Sequence, residues 1–325
     1  MKLPCGDDLD KTMPWEWHIS VVRQNEAARI AGCLVSIRDA IGNRRALVTL
    51  NLNGSTDHSN EIAHRTASDC GLKLRIYRTQ AADKSNALNQ FIYSLRLPAR
   101  MYVFIDGYVR ISSGALQGLE TCLATQPFAM AATGIGINGR TMHLATKKTL
   151  EQGGVLHGQL HAFRPEFLDR MVERQIRLPI GTYSGDGLMG SMAAHNLDAM
   201  GTPWDNGRIV GVREATYEIA ALSLFRPRDL QRQFRRKVRQ MRGRLQHQAM
   251  KAIIYRDGFA GLPADADDLV REHVLKHGVP ATSIADRLFM ALALRQIRGA
   301  RKPDPACYVP QRVILPECQK DRLHA

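Results

Sequence analysis

The feature of this sequence that most restricts its fold is a regular alternation of strand-like and helix-like segments in the first half of the chain. Short apolar runs alternate with segments of helical spacing, and the predicted strands cover 18–22, 46–52, 72–77 and 102–105. Strands that are joined by helices through short links build a mostly parallel sheet with helices on both faces. Ligands of such sheets bind at the carboxyl ends of the strands. The sequence therefore predicts an α/β fold with its site along that edge.

The second half of the chain is less regular. Residues 135–152 are rich in glycine and are predicted to form a loop or a hairpin. A strand at 155–163, a helix at 165–175 and a strand at 209–217 follow, and residues 226–300 are predicted to be helical with two breaks. The predicted division of the chain is an N-terminal arm at 1–16, an α/β domain at 17–225, a basic helical region at 226–302 and an extended, proline-containing tail at 303–325.

Composition narrows the class of protein. Of 325 residues, 44% are hydrophobic, which is ordinary for a globular chain that buries a full core. The six cysteines are scattered without a C-x-x-C pair, which argues against a zinc site or a disulfide framework and fits a reducing compartment. The N-terminus lacks the apolar core of a signal peptide. We therefore expect a cytoplasmic protein.

The net charge of +14 is concentrated in one segment. Between Arg226 and Lys251 there are ten Lys or Arg residues and a single acid, Asp229. This density predicts an anionic partner: a pyrophosphate or an acidic membrane surface. Nucleic acid is not expected, because Phe234 is the only aromatic residue of the segment that could stack on a base. A solvated helix face is the alternative interpretation.

An apolar run that ends in a carboxylate marks the candidate site. Tyr102 to Ile105 are followed by Asp106, Gly107 and Tyr108. A carboxylate at the end of a buried strand, beside a glycine that lets a ligand approach, suits the binding of a phosphate-bound cation or a ribose.

Further motifs surround this one in a fixed order. They are Val22-Arg-Gln-Asn-Glu26, Asn53-Gly-Ser-Thr-Asp57, Lys84-Ser-Asn-Ala-Leu-Asn89, Asp106-Gly-Tyr108, Gly158 to Phe163, Gly185-Asp186 and Gln233-Phe-Arg-Arg236. Over residues 17–250 this order resembles the family 2 glycosyltransferases, which have the GT-A fold. The second and third motifs, together with Asn25-Glu26, are specific in combination, whereas each alone is weak.

The resemblance implies an inverting transfer of a sugar from a nucleotide-sugar donor, and it assigns roles to single residues. Asp186 matches the general base, and Asp106 matches a ligand of a divalent cation, Mg²⁺ or Mn²⁺. His161 and Trp204 are candidates for contact with the acceptor. The donor is expected to contact Val22, Gln24, Glu26, Asn53, Lys84, Asp106, Gly107, Tyr108, Gln233 and Arg236.

The chain departs from the family pattern at positions that matter. Leu52 stands where the family has the Asp that contacts uracil, so a UDP-sugar is expected but the donor base stays open. Tyr108 replaces the second Asp of D-x-D, so the cation is weakly held or dispensable, and basic residues are the alternative. Gln24, Val22 and Lys237 replace the family's Tyr, Pro and Trp.

Each candidate also has a structural interpretation. Asp186 could cap the helix that follows it, Asn25 and Glu26 could cap the first helix, and Lys84 could be a solvated residue. A histidine beside an apolar strand end, as His161 is, is more often structural, and Trp204 could pack a loop.

Three functions follow from these observations. The first is an inverting glycosyltransferase that moves a hexose or N-acetylhexosamine to a hydroxyl of a glycan, lipid-linked or small-molecule acceptor, with peripheral contact to an anionic membrane. The second is a catalytically silent GT-A homologue that binds nucleotide sugar or glycan within a complex. The third and most remote is a sugar nucleotidyltransferase, for which Val22 to Glu26 lacks the glycine-rich loop that cradles a triphosphate.

Overall fold

The computed structural model of the protein describes residues 13–138, 142–219, 227–279, 283–300 and 302–313. Most of the predicted N-terminal arm and the end of the predicted tail lie outside these residues. The strands are β1 (Trp15–Arg23), β2 (Ala46–Asn53), β3 (Leu74–Thr79), β4 (Ala99–Asp106), β5 (Val109–Ile111), β6 (Ala131–Gly136), β7 (Leu160–Phe163), β8 (Ile209–Ile219) and β9 (Gln311–Arg312). The helices of the first part are α1 (Ala27–Ile41), α2 (Ser59–Asp69), α3 (Lys84–Gln90), α4 (Ala115–Thr125) and α5 (Met142–Gln152). Those of the second part are α6 (Pro165–Glu173), α7 (Gly185–Ala194), α8 (Pro227–Asp257), α9 (Ala266–His277) and α10 (Ile284–Gly299).

All nine strands belong to one sheet with the order β5-β8-β6-β7-β4-β1-β2-β3-β9. Its centre, β4-β1-β2-β3, is parallel, as strands linked by helices must be. In this block Val22 pairs with both Asn51 and Asp106, so the carboxyl ends of β1, β2 and β4 lie side by side. The predicted α/β fold with a mostly parallel sheet is confirmed.

Each face of the sheet carries its own core. Side chains that alternate along β1, such as Trp17, Ile19 and Val21, pack with α1, α2 and α4. The opposite face packs against α3, α6 and α7 and against the C-terminal helices α8, α9 and α10. The basic C-terminal region is therefore part of the main body, and α8 runs beside the site.

Three segments differ from the sequence-based expectation. The strand predicted at 155–163 begins only at Leu160. The predicted loop at 135–152 contains the end of β6 and all of α5. The run Ala131-Ala-Thr-Gly-Ile-Gly136 is buried throughout, and a Cβ at Gly134 would lie 2.6 Å from Cδ2 of Leu160. Close packing requires small residues at these positions, and a run of small residues does not show the alternation of apolar and polar residues that predicts a strand. The prediction of a loop was therefore wrong here.

The tail also differs from a simple extended segment. Pro305–Tyr308 form a 3₁₀ turn and β9 pairs antiparallel with β3, which brings the tail back to the edge of the sheet. No helix within the described ranges is long and apolar enough to cross a bilayer.

Candidate active site

A cavity of about 950 Å³ lies at the carboxyl ends of the central strands. Its wall brings together six of the residues that the sequence singled out, which are Glu26, Lys84, Asp106, Tyr108, Asp186 and Arg236. These six residues come from five motifs that lie up to 210 positions apart, so only the fold can place them together. The cavity is large enough for a nucleotide-sized ligand.

Asp106 and Lys84 form the centre of the cavity wall. Asp106 ends β4, and Lys84 opens α3 directly after the helix cap Asp83. The Nζ atom of Lys84 donates to Oδ1 of Asp106 at 2.6 Å. Burial lowers the pKa of Lys84, but the charges of Asp106 and Asp186 outweigh it, so the net shift is upward and the ammonium stays charged.

Asp186 lies in the first turn of α7 and lines the same cavity. Its side chain rests against Gly158, where any Cβ would overlap Oδ2 of the carboxylate. The side chain makes no hydrogen bond to the helix start, since Ser184 is the N-cap and no capping contact of Asp186 occurs among the described residues. The carboxylate is therefore directed towards the strand ends rather than used as a helix cap, which is the arrangement that a base acting on a ligand needs.

Tyr108 occupies the position of the missing second carboxylate. Its ring lies 4.8 Å from the guanidinium carbon of Arg23, and Gln159 donates to its hydroxyl at 3.4 Å. Arg23 also pairs with Glu26. Burial and the charge of Asp106 raise the pKa of Tyr108 to about 12, and burial lowers the pKa of Arg23 to about 10. At neutral pH the pair is thus a neutral phenol and a cation.

The first two motifs mainly hold their own loops together. Asp57 accepts from the N–H of Ala27 at 3.0 Å, so it caps α1 from another loop. Asn25 has a positive φ of 48° and accepts from the N–H of Thr56 at 2.8 Å. These contacts support the structural interpretation of Asn25, whereas Glu26 lines the cavity.

Three arginines of α8 form part of the cavity wall. Arg236, Arg239 and Arg242 follow one another at intervals of three residues, and all three line the cavity. Arg242 is engaged by Asp267, which accepts at 2.6 Å and 3.1 Å. Sequence reasoning had missed Arg239 and Arg242, although their spacing from Arg236 is the helical signal that could have found them.

Five of the predicted donor contacts do not line the cavity. Val22 is buried in β1, and Gln24 is exposed. Asn53 is buried, and it accepts from the N–H of Asp83 at 2.8 Å, which fixes the loop before α3. A Cβ at Gly107 would lie 2.9 Å from Cβ of Arg23, so its role is to admit that side chain. Gln233 is exposed and lies one turn before Arg236, which lines the cavity.

His161 lies inside the core. It is 1% exposed, it stacks on Phe104 with ring centroids 5.2 Å apart, and its Nδ1 is 2.9 Å from the carbonyl oxygen of His157. Burial lowers its pKa to about 4, so it is neutral. It does not line the cavity, and this placement supports the structural interpretation over contact with an acceptor.

Trp204 lines a second cleft of about 340 Å³ beside the first. Tyr255 and Met250 of α8 and Leu188 of α7 give this cleft an aromatic and apolar wall. Thr182 and Ser184 line both spaces, so a single loop separates them. Trp204 is 48% exposed and is accessible to a ligand.

The residues around Asp106 do not fit a divalent-cation site. A hard cation requires several oxygen ligands, preferably carboxylates. Asp106 already accepts from Lys84, and the neutral phenol of Tyr108 replaces the second carboxylate. No group of three or more His, Cys, Asp or Glu side chains that could hold a metal ion occurs in the part of the chain that the structure describes.

Comparison with known proteins gives matches among solved structures alone. No protein-family model matches this chain, and no curated protein does. The mannosyltransferase PcManGT from Pyrobaculum calidifontis, solved with GDP-Man and Mn²⁺, is 17% identical with a TM-score of 0.56 and covers 89% of this chain and 82% of its own. TarS 1-349 from S. aureus is 14% identical with a TM-score of 0.52 and covers 87% and 80%. At these identities the likeness concerns the fold, and this chain has the fold of the GT-A glycosyltransferases.

Proposed function

We propose that the protein is an inverting glycosyltransferase that moves a hexose or N-acetylhexosamine from a nucleotide sugar to an acceptor hydroxyl. The observation that carries this proposal is the convergence of Lys84, Asp106 and Asp186 in one nucleotide-sized cavity at the carboxyl ends of the strands. This transfer needs a cation, a carboxylate that orients the cation, and a second carboxylate with room for a ligand beside it.

The proposed step proceeds in one displacement. The acceptor oxygen attacks the anomeric carbon and forms a C–O bond while the bond from that carbon to the phosphate oxygen breaks. The electron pair of the broken bond goes to the leaving nucleoside diphosphate. Asp186 accepts the proton of the attacking hydroxyl, and Lys84, oriented by Asp106, faces the charge that develops on the leaving group.

The second cleft is the proposed acceptor side. Its wall includes Gly187 and Leu188, the two residues that follow Asp186 in α7. An acceptor bound along Trp204 would therefore extend towards the base, and sugar rings and lipid chains both pack on such aromatic and apolar surfaces. The proposed acceptors remain a glycan, a lipid-linked or a small-molecule hydroxyl.

The test is a panel of nucleotide sugars, with release of nucleoside diphosphate as the readout. The panel includes UDP- and GDP-sugars, because Leu52 leaves the base open and the donor of PcManGT carries guanosine. Asp186→Asn is expected to lower turnover by about 100-fold while nucleoside diphosphate binding is kept. Turnover near that of the parent would exclude Asp186 as the base.

The silent homologue gives a different result in the same assay. It would bind a nucleotide sugar but release no nucleoside diphosphate with any acceptor. Tyr108 and Leu52 are the departures that favour it, and the cavity that contains Asp186 and Lys84 favours the enzyme.

A further inference from the structure

The cavity wall contains two cations without a carboxylate partner. Eight Lys or Arg and six Asp or Glu side chains line the cavity. Most of the cations are paired, as in Lys84 with Asp106 and Arg242 with Asp267. Arg236 and Arg239 of α8 form no ion pair with any described residue, and Arg239 lies 6.0 Å from the ring of Tyr183.

A third cation of the cavity wall, Arg23, packs against the ring that replaces the second carboxylate. The ring of Tyr108 holds the guanidinium of Arg23, with 4.8 Å from the ring centroid to the guanidinium carbon. The Nε atom of Arg23 is buried, and it has no hydrogen-bond partner among the described residues. Because this N–H is closed off from solvent, Arg23 acts on an anion in the cavity through its positive charge, while one of its terminal nitrogens pairs with Glu26.

A divalent cation at Asp106 would meet an occupied site. It would have to displace the Lys84 ammonium, which lies 2.6 Å from Oδ1, and the positive charge of Arg23 acts on the same carboxylate. Like charges at such separations repel strongly in a partly desolvated cavity. The exchange of Asp for Tyr thus changes the site from a metal-binding to a cationic one.

We infer that Arg23, Lys84, Arg236 and Arg239 hold the donor pyrophosphate directly, so that transfer does not require a divalent cation. This inference rests on the proposed glycosyl transfer and specifies how its leaving group is stabilised. When the bond between the anomeric carbon and the phosphate oxygen breaks, the nucleoside diphosphate gains one negative charge. Guanidinium groups bind such oxygens through two parallel N–H bonds, and Lys84 supplies a point charge.

The first experiment removes metal from the full-length protein. Binding of UDP and of GDP is measured by calorimetry in EDTA and in excess Mn²⁺ or Mg²⁺, and sugar transfer is measured under the same conditions. We expect the affinity for the preferred nucleotide and the turnover to agree within about threefold between EDTA and either metal. A gain of tenfold or more on addition of metal would overturn the inference.

The second experiment tests the two arginines of α8. Arg236→Gln and Arg239→Gln are each expected to weaken nucleoside diphosphate binding in EDTA by about tenfold, since each removes a charge-assisted contact. Arg235→Gln is the matched control, because Arg235 is exposed on the same helix and does not line the cavity. Binding by Arg239→Gln that equals that of the control would contradict the inference.

A third variant restores the family pattern. Tyr108→Asp supplies the second carboxylate and removes the ring that holds Arg23. We expect transfer by this variant to fall in EDTA and to rise at least fivefold when Mn²⁺ is added, whereas the parent does not respond. A variant that is equally active with and without Mn²⁺ would contradict the role of Tyr108.

The outcomes separate this inference from the proposed function. If transfer occurs only with metal, the proposed glycosyltransferase activity is supported and the metal-independent binding of pyrophosphate is wrong. If nucleoside diphosphate binds in EDTA but no sugar is transferred, the cationic binding site is supported and the proposed enzyme activity is wrong. If none of the nucleoside diphosphates released by the donors of the panel binds under any condition, both proposals are wrong.

Discussion

At the scale of single residues, the direction of the Asp186 side chain depends on Gly158. A Cβ at position 158 would overlap Oδ2 of Asp186, so Gly158→Ala must move the carboxylate. We expect turnover to fall by about 100-fold, because a general base displaced by about 1 Å loses its alignment with the proton. Nucleoside diphosphate release and nucleotide affinity are the two measurements.

The control for this variant is another glycine-to-alanine exchange. Gly114 has a φ of −84° and nothing within 4 Å of its added Cβ, so Gly114→Ala should leave turnover unchanged. Lost nucleotide binding in Gly158→Ala would instead indicate a collapsed cavity and would contradict the specific effect on Asp186.

The burial of His161 leads to a prediction for how the free energy of unfolding depends on pH. Its folded-state pKa of about 4 lies below the ordinary value of 6.5, so from pH 6.5 down to 4 only the unfolded chain takes up its proton. The free energy of unfolding should therefore fall by about 1.4 kcal/mol per pH unit across this window, on account of this group. Urea unfolding of the parent and of His161→Phe, compared at pH 7, 5.5 and 4.5, measures the difference.

Two further measurements complete this test. The same comparison with His58→Gln serves as the control for the removal of a histidine, since the side chain of His58 is 88% exposed. Turnover of His161→Phe should stay within a few-fold of the parent. A loss of acceptor affinity would contradict its placement in the core and support the acceptor contact that the sequence suggested.

At the scale of elements, a buried glutamine of α8 holds the loop between the two clefts. Gln246 is 1% exposed; it accepts from the N–H of Tyr183 at 2.9 Å and donates to the carbonyl of Gly181 at 2.8 Å. Gln246→Leu leaves both backbone groups unpaired, and the expected loss in the free energy of unfolding is about 2–3 kcal/mol. Urea unfolding measures this loss, and Gln240→Leu, at an exposed position of the same helix, should change it by less than about 0.5 kcal/mol. Equal losses of unfolding free energy in both variants would show that the two hydrogen bonds of Gln246 do not stabilise the loop.

The elements that the sequence predicted are those fixed by local order along the chain. Asp106, Lys84 and Asp186 each follow a strand or open a helix, so connectivity alone places them at the carboxyl edge of the sheet. Arg23 and Arg239 were not predicted, because their places on the cavity wall depend on the packing of Tyr108 and on the rotation of α8 against the core. Tyr308 was missed for the same reason, since it reaches the cavity only through the pairing of β9 with β3.

Across the folded protein, the basic side chains of residues 226–251 do not all face solvent as one patch. Arg236, Arg239 and Arg242 line the cavity, while Lys237 and Arg244 pair with Asp286 at 3.0 Å and 3.5 Å. Among the described basic side chains of this segment, three are thus held in ion pairs, and Arg236 and Arg239 face the cavity. Membrane attraction of about 1 kcal/mol per basic residue would rest on the others.

This distribution leads to a prediction for the proposed lipid-linked acceptor. The protein should sediment with anionic vesicles but not with neutral ones, and the bound fraction should fall as salt rises. Sedimentation over a salt series is the measurement. Equal recovery with both lipids would exclude electrostatic docking and favour an acceptor that is not in a membrane.

The tail completes the cavity over a long distance in sequence. The carbonyl of Cys307 accepts from the N–H groups of Gln80 and Ala81, and Asn86 donates to the carbonyl of Tyr308 at 2.9 Å. These contacts hold Tyr308 on the cavity wall, and an aromatic ring there is suited to stack on a nucleoside base.

Tyr308→Ala should therefore weaken nucleoside diphosphate binding by about 1 kcal/mol, roughly fivefold, and Tyr308→Phe should restore it, because stacking requires the ring and not the hydroxyl. Calorimetry measures both variants against Val309→Ala, a neighbouring position that is 57% exposed and does not line the cavity. If Tyr308→Phe is as weak as Tyr308→Ala, the hydroxyl rather than the ring makes the contact, and the stacking role is wrong.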